Sequence, residues 1–211
     1  MADETSCLCD GRDSMNPCAP KSCRRTPCGS CSDGPCRGPL RSVKDVVRAY
    51  HKNYREQTKR ELRFYAGRTL MEIGLAVAMN EKRHPHQRRI PEAVLLEVCA
   101  CLIKHQWRCG IFDSFDDLHQ KVKDVIGGIH GVGELMIYDT ACRIGARIEL
   151  EPDKVYLHAG TRKGARALGL GWGARFLERE DLPREFQDLK AGEIEDCLCI
   201  YEAELKDMPV A

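Results

Sequence analysis

GIHGVGELMIYDTACRIG, residues 128–145, breaks a helical pattern with Gly131-Val132-Gly133 and resumes it within one residue. Upstream, Ser114 and Asp117 open a helix that carries Phe115, Leu118, Val122 and Val125 on one face. Downstream, Ile137, Ala141, Ile144 and Ile148 recur at helical spacing. The segment therefore reads as helix, short turn, helix. The first glycine permits a positive φ angle. Val132 points inward and pins the turn, and Gly133 lets another backbone come close as it begins the second helix. The first N–H groups of that helix lack internal partners and point outward. A helix start free of side-chain bulk is a phosphate site.

Working outward, the same spacing repeats. Ser42 with Asp45 forms a capping-box pattern, followed by Val43, Val46, Val47, Tyr50 and Tyr54. Thr58 and Glu61 repeat the box, and Leu62, Ala66, Leu70, Ile73 and Val77 mark a second helix. The loop NEKRHPHQRR separates it from a helix begun by Pro91, with Val94, Leu95, Val98 and Leu102 inward. Pro152 starts another helix, through about Leu168, and GLGWG (Gly169–Gly173) is a flexible loop. The last helix spans about Glu193 to Leu205, with Ile194, Cys197, Leu198, Tyr201 and Leu205 inward. No segment alternates with a period of two and no repeat is found. The expected fold is all-α, over residues 40–211.

Residues 1–39 are rich in Cys, Pro, Gly, Ser and Arg and lack the apolar side chains of a core. They read as a Cys-rich tail, disordered or stapled by metal. Of the 13 cysteines, seven lie between Cys7 and Cys36. Clustered thiols in a reducing compartment bind metal or stay free. Cys28-Gly-Ser-Cys31 is a Cys-x-x-Cys knuckle able to supply two of zinc's four ligands.

The net charge of +1 hides an uneven distribution. Residues 41–90 hold 13 basic against 5 acidic side chains, a net +8, whereas residues 176–211 carry a net −7. A cationic region attracts phosphate backbones; a solvated helix surface accounts for it equally. No stretch approaches the ~20 apolar residues of a membrane span, and the amino terminus lacks the pattern of a secretory signal. The expected location is cytoplasmic, with no membrane partner.

Ile129-His130-Gly131-Val132-Gly133 resembles the hairpin of the helix-hairpin-helix family, hydrophobic-x-Gly-hydrophobic-Gly, over Val122 to Ile148. The resemblance implies that amides around Gly131, Val132 and Gly133 hold a DNA phosphate without reading sequence. A weaker resemblance, over Ser114 to Gly169, is to the helix-hairpin-helix DNA glycosylase superfamily. It implies a catalytic aspartate downstream of the hairpin, at the start of another helix. Here, alignment on Val155-Tyr156-Leu157 puts His158, Ala159 or Gly160 at that position, and Asp153 lies five residues before His158. Members with lyase activity carry a lysine two residues after the second glycine. Leu135 stands there and offers no amine for a Schiff base.

The candidate catalytic residues are His158, Asp139 and Asp153. A histidine near Gly160 serves as an acid or base, or as a hydrogen-bonded structural residue. Asp139 and Arg143 form a helical ion pair or line a cleft with Tyr138. Arg162, Lys163 and Arg166 lie along a phosphate backbone beside the hairpin or form a solvated face. Gly160 and Gly164, four apart, indicate close helix packing. Trp172 stacks on an extruded base or plugs the core edge. The expected function is sequence-independent DNA binding, in its sharper form DNA repair chemistry on a base by a glycosylase-like enzyme with altered catalytic residues. The alternative is a zinc-binding or redox-linked protein organised by its cysteines, with a helical interaction module.

Overall fold

The computed structural model describes residues 40–79, 90–105 and 112–208. Those residues are mainly helical. In chain order they form α1 (Val43–Asn53), α2 (Arg55–Ala66), α3 (Leu70–Met79), α4 (Glu92–Lys104), α5 (Phe115–Ile126) and α6 (Glu134–Ile148). The strand β1 (Val155–Tyr156), α7 (Ala159–Ala167), β2 (Phe176–Leu177), α8 (Ala191–Ile200) and α9 (Glu202–Lys206) follow. Among the described residues no helix is long and apolar enough to cross a membrane.

Local chemistry explains where helices begin. Ser42 and Ser114 accept from the amides of Asp45 (3.3 Å) and Asp117 (3.1 Å) and donate back to their carboxylates. Both expected helix starts are therefore present. The box expected at Thr58 is not. The helix begins at Arg55, and Thr58 instead donates its hydroxyl to Asp196 Oδ2 at 3.1 Å. The single helix read across Leu62–Val77 is two. Gly67 ends α2, and Thr69 with Glu72 forms a new capping box, with bonds of 2.7 and 3.2 Å.

The segment after Pro152 also differs from expectation. Val155 and Tyr156 pair antiparallel with Leu177 and Phe176, and the helix starts only at Ala159. A β-branched and an aromatic residue favour extended backbone, and Val155 is fully buried there. The expected last helix is interrupted at Tyr201. Its inward residues are as expected: Ile194, Cys197, Leu198, Tyr201 and Leu205 are all fully buried.

Two apolar clusters hold these elements. One joins α3 to α6 with Tyr65 of α2, through Leu95, Val98, Leu118, Val122 and Ile144. The other joins α1, the strand pair and α7 to α9, through Tyr50, Phe186, Ile194 and Leu198. Burying each aliphatic side chain contributes about 2 kcal/mol. The helix α6 leads from the first cluster toward the second, and the candidate site lies along it.

Candidate functional site

The bend between α5 and α6 is built as its glycines demand. Gly131 sits at φ +93°, a left-handed conformation that suits glycine. The amide of Val132 donates to Ile129 O at 3.1 Å, which closes the turn. Ile129 is buried, and Val132 is half-buried against the first cluster, the inward anchor expected of it. Gly133 is the N-cap of α6 and no side chain caps that helix. Its first-turn N–H groups consequently lack internal partners. Gly133 does not serve close approach among the described residues, since a Cβ there would meet none of their atoms within 4 Å. His130, Gly131, Gly133 and Glu134 are all exposed.

A cavity of about 430 Å³ opens beside this helix start. Glu134, Ile137 and Tyr138 of α6 line it, together with His119 of α5, Tyr156 of β1 and His158. Its aromatic wall is continuous: the Tyr156 ring lies 4.7 Å from His119 and 5.4 Å from Tyr138. Lys123, Arg162 and Arg175 also line it, offset by the carboxylates of Asp116, Asp117 and Glu134. Asp116 fixes the wall in place. It accepts from Lys154 Nζ at 2.5 Å and from the Tyr156 hydroxyl. Burial pushes the Asp116 carboxyl up, but these two bonds outweigh it and hold it below the ordinary carboxylate range. Burial pushes His119 the other way, toward the neutral ring.

His158 precedes α7 as its N-cap and is only 2% exposed. Its ring contacts the buried carboxylate of Glu195 on α8. Thr161 donates to the same carboxylate at 2.6 Å and lies 3.0 Å from His158 Nε2. Burial alone would favour a neutral ring. The Glu195 hydrogen bond and charge outweigh that and raise His158 above its usual value. The potential donor atoms of His158, Glu195 and Cys199 lie within 4.8 Å of one another. Burial, then the Glu195 carboxylate, pushes the Cys199 thiol up to about 12.

The anticipated residues are distributed unevenly around these features. His158 and Arg162 line the cavity next to the hairpin. Arg162 Nη1 stands 3.4 Å from Glu134, and its Nη2 donates to Leu157 O at 2.5 Å. Lys163 points to Glu202 at 3.4 Å, and the Arg166 guanidinium stacks 5.5 Å from the Trp172 ring. Each of the three cations thus engages a different partner within the chain. Trp172 is 73% exposed, so it plugs no core edge. Asp139 lines a second cavity of about 420 Å³, on the other side of Tyr138 and shared with Arg143, Glu193 and Asp196. In that region Arg143 reaches Glu61 at 3.8 Å and lies over the Tyr65 ring. Asp153 is exposed just before β1 and lines neither cavity. Cys28 and Cys31 lie outside the described residues.

Glu195, Thr161, Asp116 and Tyr156 were not singled out from the sequence. Glu195 and Cys199 are four apart, a spacing that puts both on one helix face. Nothing in the sequence says that this face meets His158. The pair Gly160 and Gly164 gave half of the answer. A Cβ on Gly160 would lie 2.6 Å from Cys199 Sγ, and one on Gly164 2.1 Å from Leu198 O. The expected close packing is thus present, with α8 as the partner. No family model, no curated protein and no solved structure matches this chain.

Proposed function

We propose that this protein binds DNA without regard to sequence, as a helix-hairpin-helix protein whose bend receives a backbone phosphate. One observation carries the reading. The uncapped, exposed start of α6 at Gly133 opens beside a cavity whose lining includes Lys123, Arg162 and Arg175 together with Asp116, Asp117 and Glu134. Bare N–H groups and nearby cations are the two components of anion binding at a helix start. The phosphate sits over Gly133, where a Cβ would meet no atom of the described residues within 4 Å. The cations add attraction that follows the backbone and carries no base information.

The test is fluorescence anisotropy of labelled duplexes of unrelated sequence, titrated with the full chain over a range of salt. With about three phosphates neutralised, the slope of log affinity against log salt is about −3. Equal affinities across sequences and a slope of that size support the reading. Absence of binding at low salt overturns it.

The cavity favours a second, sharper reading, in which the protein acts on a base turned out of the duplex. In its aromatic wall the half-buried Tyr156 and His119 offer ring surface on which a base stacks. Duplexes that each carry one modified or mismatched base, analysed by mass spectrometry, test it. The expected product is a released or altered base on an uncut strand, because Leu135 excludes lyase chemistry through that position. Unchanged substrate across the panel argues for binding alone.

A further inference from the structure

We propose that His158, Glu195 and Cys199 hold one divalent transition-metal ion, zinc in the first place, in the seam between α7 and α8. Its ligands are other than Cys28 and Cys31, and it does not depend on DNA binding.

Three observations converge on it. First, the donors are the right kind and arrive from two elements. His158 is the N-cap of α7, and Glu195 and Cys199 share a face of α8. Imidazole nitrogen, carboxylate oxygen and thiolate sulfur together suit zinc, whereas magnesium and calcium take oxygen alone. Second, the spacing is within reach. Zinc bonds of about 2.0–2.3 Å place tetrahedral donors about 3.5 Å apart. The three donor atoms already lie within 4.8 Å. The direct His158–Glu195 contact opens slightly to admit the ion, and Cys199 closes in. Thr161 orients the carboxylate through its 2.6 Å bond, as outer-shell partners of metal ligands do.

Third, the seam is held tight by glycine: with side chains at Gly160 and Gly164, α7 would be driven off Cys199 and Leu198. Three protein ligands leave a fourth position for water or substrate. His158 lines the cavity beside the hairpin. A histidine so engaged is a ligand and not a free acid or base.

The experiment uses the full chain with the seven cysteines of Cys7–Cys36 replaced by serine, so that only cysteines of the remaining chain can bind metal. It is dialysed against zinc for metal analysis, and against cobalt for absorption spectra. The expected result is one ion per chain and a thiolate-to-cobalt band. Cys199→Ser removes the band, and Glu195→Gln weakens the affinity at least about tenfold with the circular dichroism unchanged. Gly160→Ala, which displaces Cys199 without removing a donor, weakens it as well. Where Cys199→Ser fails to fold, Glu195→Gln and Gly160→Ala decide. Absence of bound metal overturns the proposal, as do a cobalt spectrum without sulfur ligation and an affinity indifferent to these variants.

Discussion

The α5–α6 bend and the α7–α8 seam both depend on glycines spaced a few residues apart, for opposite reasons. In the bend, Gly131 supplies a backbone conformation and Gly133 leaves empty space. In the seam, Gly160 and Gly164 allow another helix to fill the space. The bend therefore presents main-chain N–H groups outward, and the seam presses side chains together inward. One region is exposed to solvent. The other is a buried constellation, costly to disturb. The residue type is the same, and only the neighbours distinguish the roles.

The largest test of this contrast is in the seam. His158→Ala leaves the buried Glu195 carboxylate without its charged partner, with the Thr161 hydroxyl still donating to it, and is expected to cost about 3 kcal/mol in urea unfolding. A loss below about 1 kcal/mol would mean that the pair is not stabilised by its burial. Next, Gly164→Ala sets a methyl group against the Leu198 carbonyl, a backbone atom that cannot step aside. About 3 kcal/mol of destabilisation is expected. In the bend, Gly131→Ala pays for a positive φ and costs about 1–2 kcal/mol. Gly133→Ala costs no more than about 1 kcal/mol, the ordinary N-cap disadvantage of alanine, since its Cβ meets none of the described residues. Equal losses at 133 and 164 would erase the distinction between the two regions.

Acid sensitivity belongs to the wall between them. The folded pKa of Asp116 lies below its reference value of 3.8. Its bonds to Lys154 and Tyr156 thus contribute stability that is full above the ordinary carboxylate range and is lost as pH falls through the lowered folded value. The melting-temperature gap between wild type and Asp116→Asn should be constant above about pH 5 and close below about pH 4. A gap that widens in acid would contradict this sign. The smallest effect concerns Glu134, whose carboxylate stands exposed at the start of α6. Glu134→Gln removes a like charge from the phosphate's approach and frees Arg162. DNA affinity should rise about two- to threefold at low salt and converge with wild type at high salt. Weaker binding by this variant would place the phosphate elsewhere.

The same contrast explains what the sequence revealed. Helical periodicity and the Ser42 and Ser114 caps are local, and so is the left-handed demand at Gly131. All three were readable from neighbours in the chain. The bend was legible for this reason. The Thr58 hydroxyl was assigned to a cap because the competing acceptor, Asp196, is 138 residues away. Val155 and Tyr156 looked helical because the strand that pairs with them lies beyond α7. Glu195 was invisible for the same reason: its partners His158 and Thr161 arrive only when α7 docks on α8. Asp139 and Asp153 are near the hairpin and His158 in sequence, yet neither lines the cavity with His158.

The most direct measurement pairs DNA binding with stability in one variant, Gly133→Asp. Gly133 already has N-cap geometry, φ −106° and ψ 175°. An aspartate there accepts from the N–H groups at the start of α6 and adds a few tenths of a kcal/mol to the fold. It also occupies the position proposed for the phosphate with a charge of the same sign. The expected result is unchanged or raised thermal stability, at least about tenfold weaker duplex binding, and a salt slope reduced by about 1. An affinity equal to that of wild type, in a variant that folds as well, would contradict phosphate capture at this helix start.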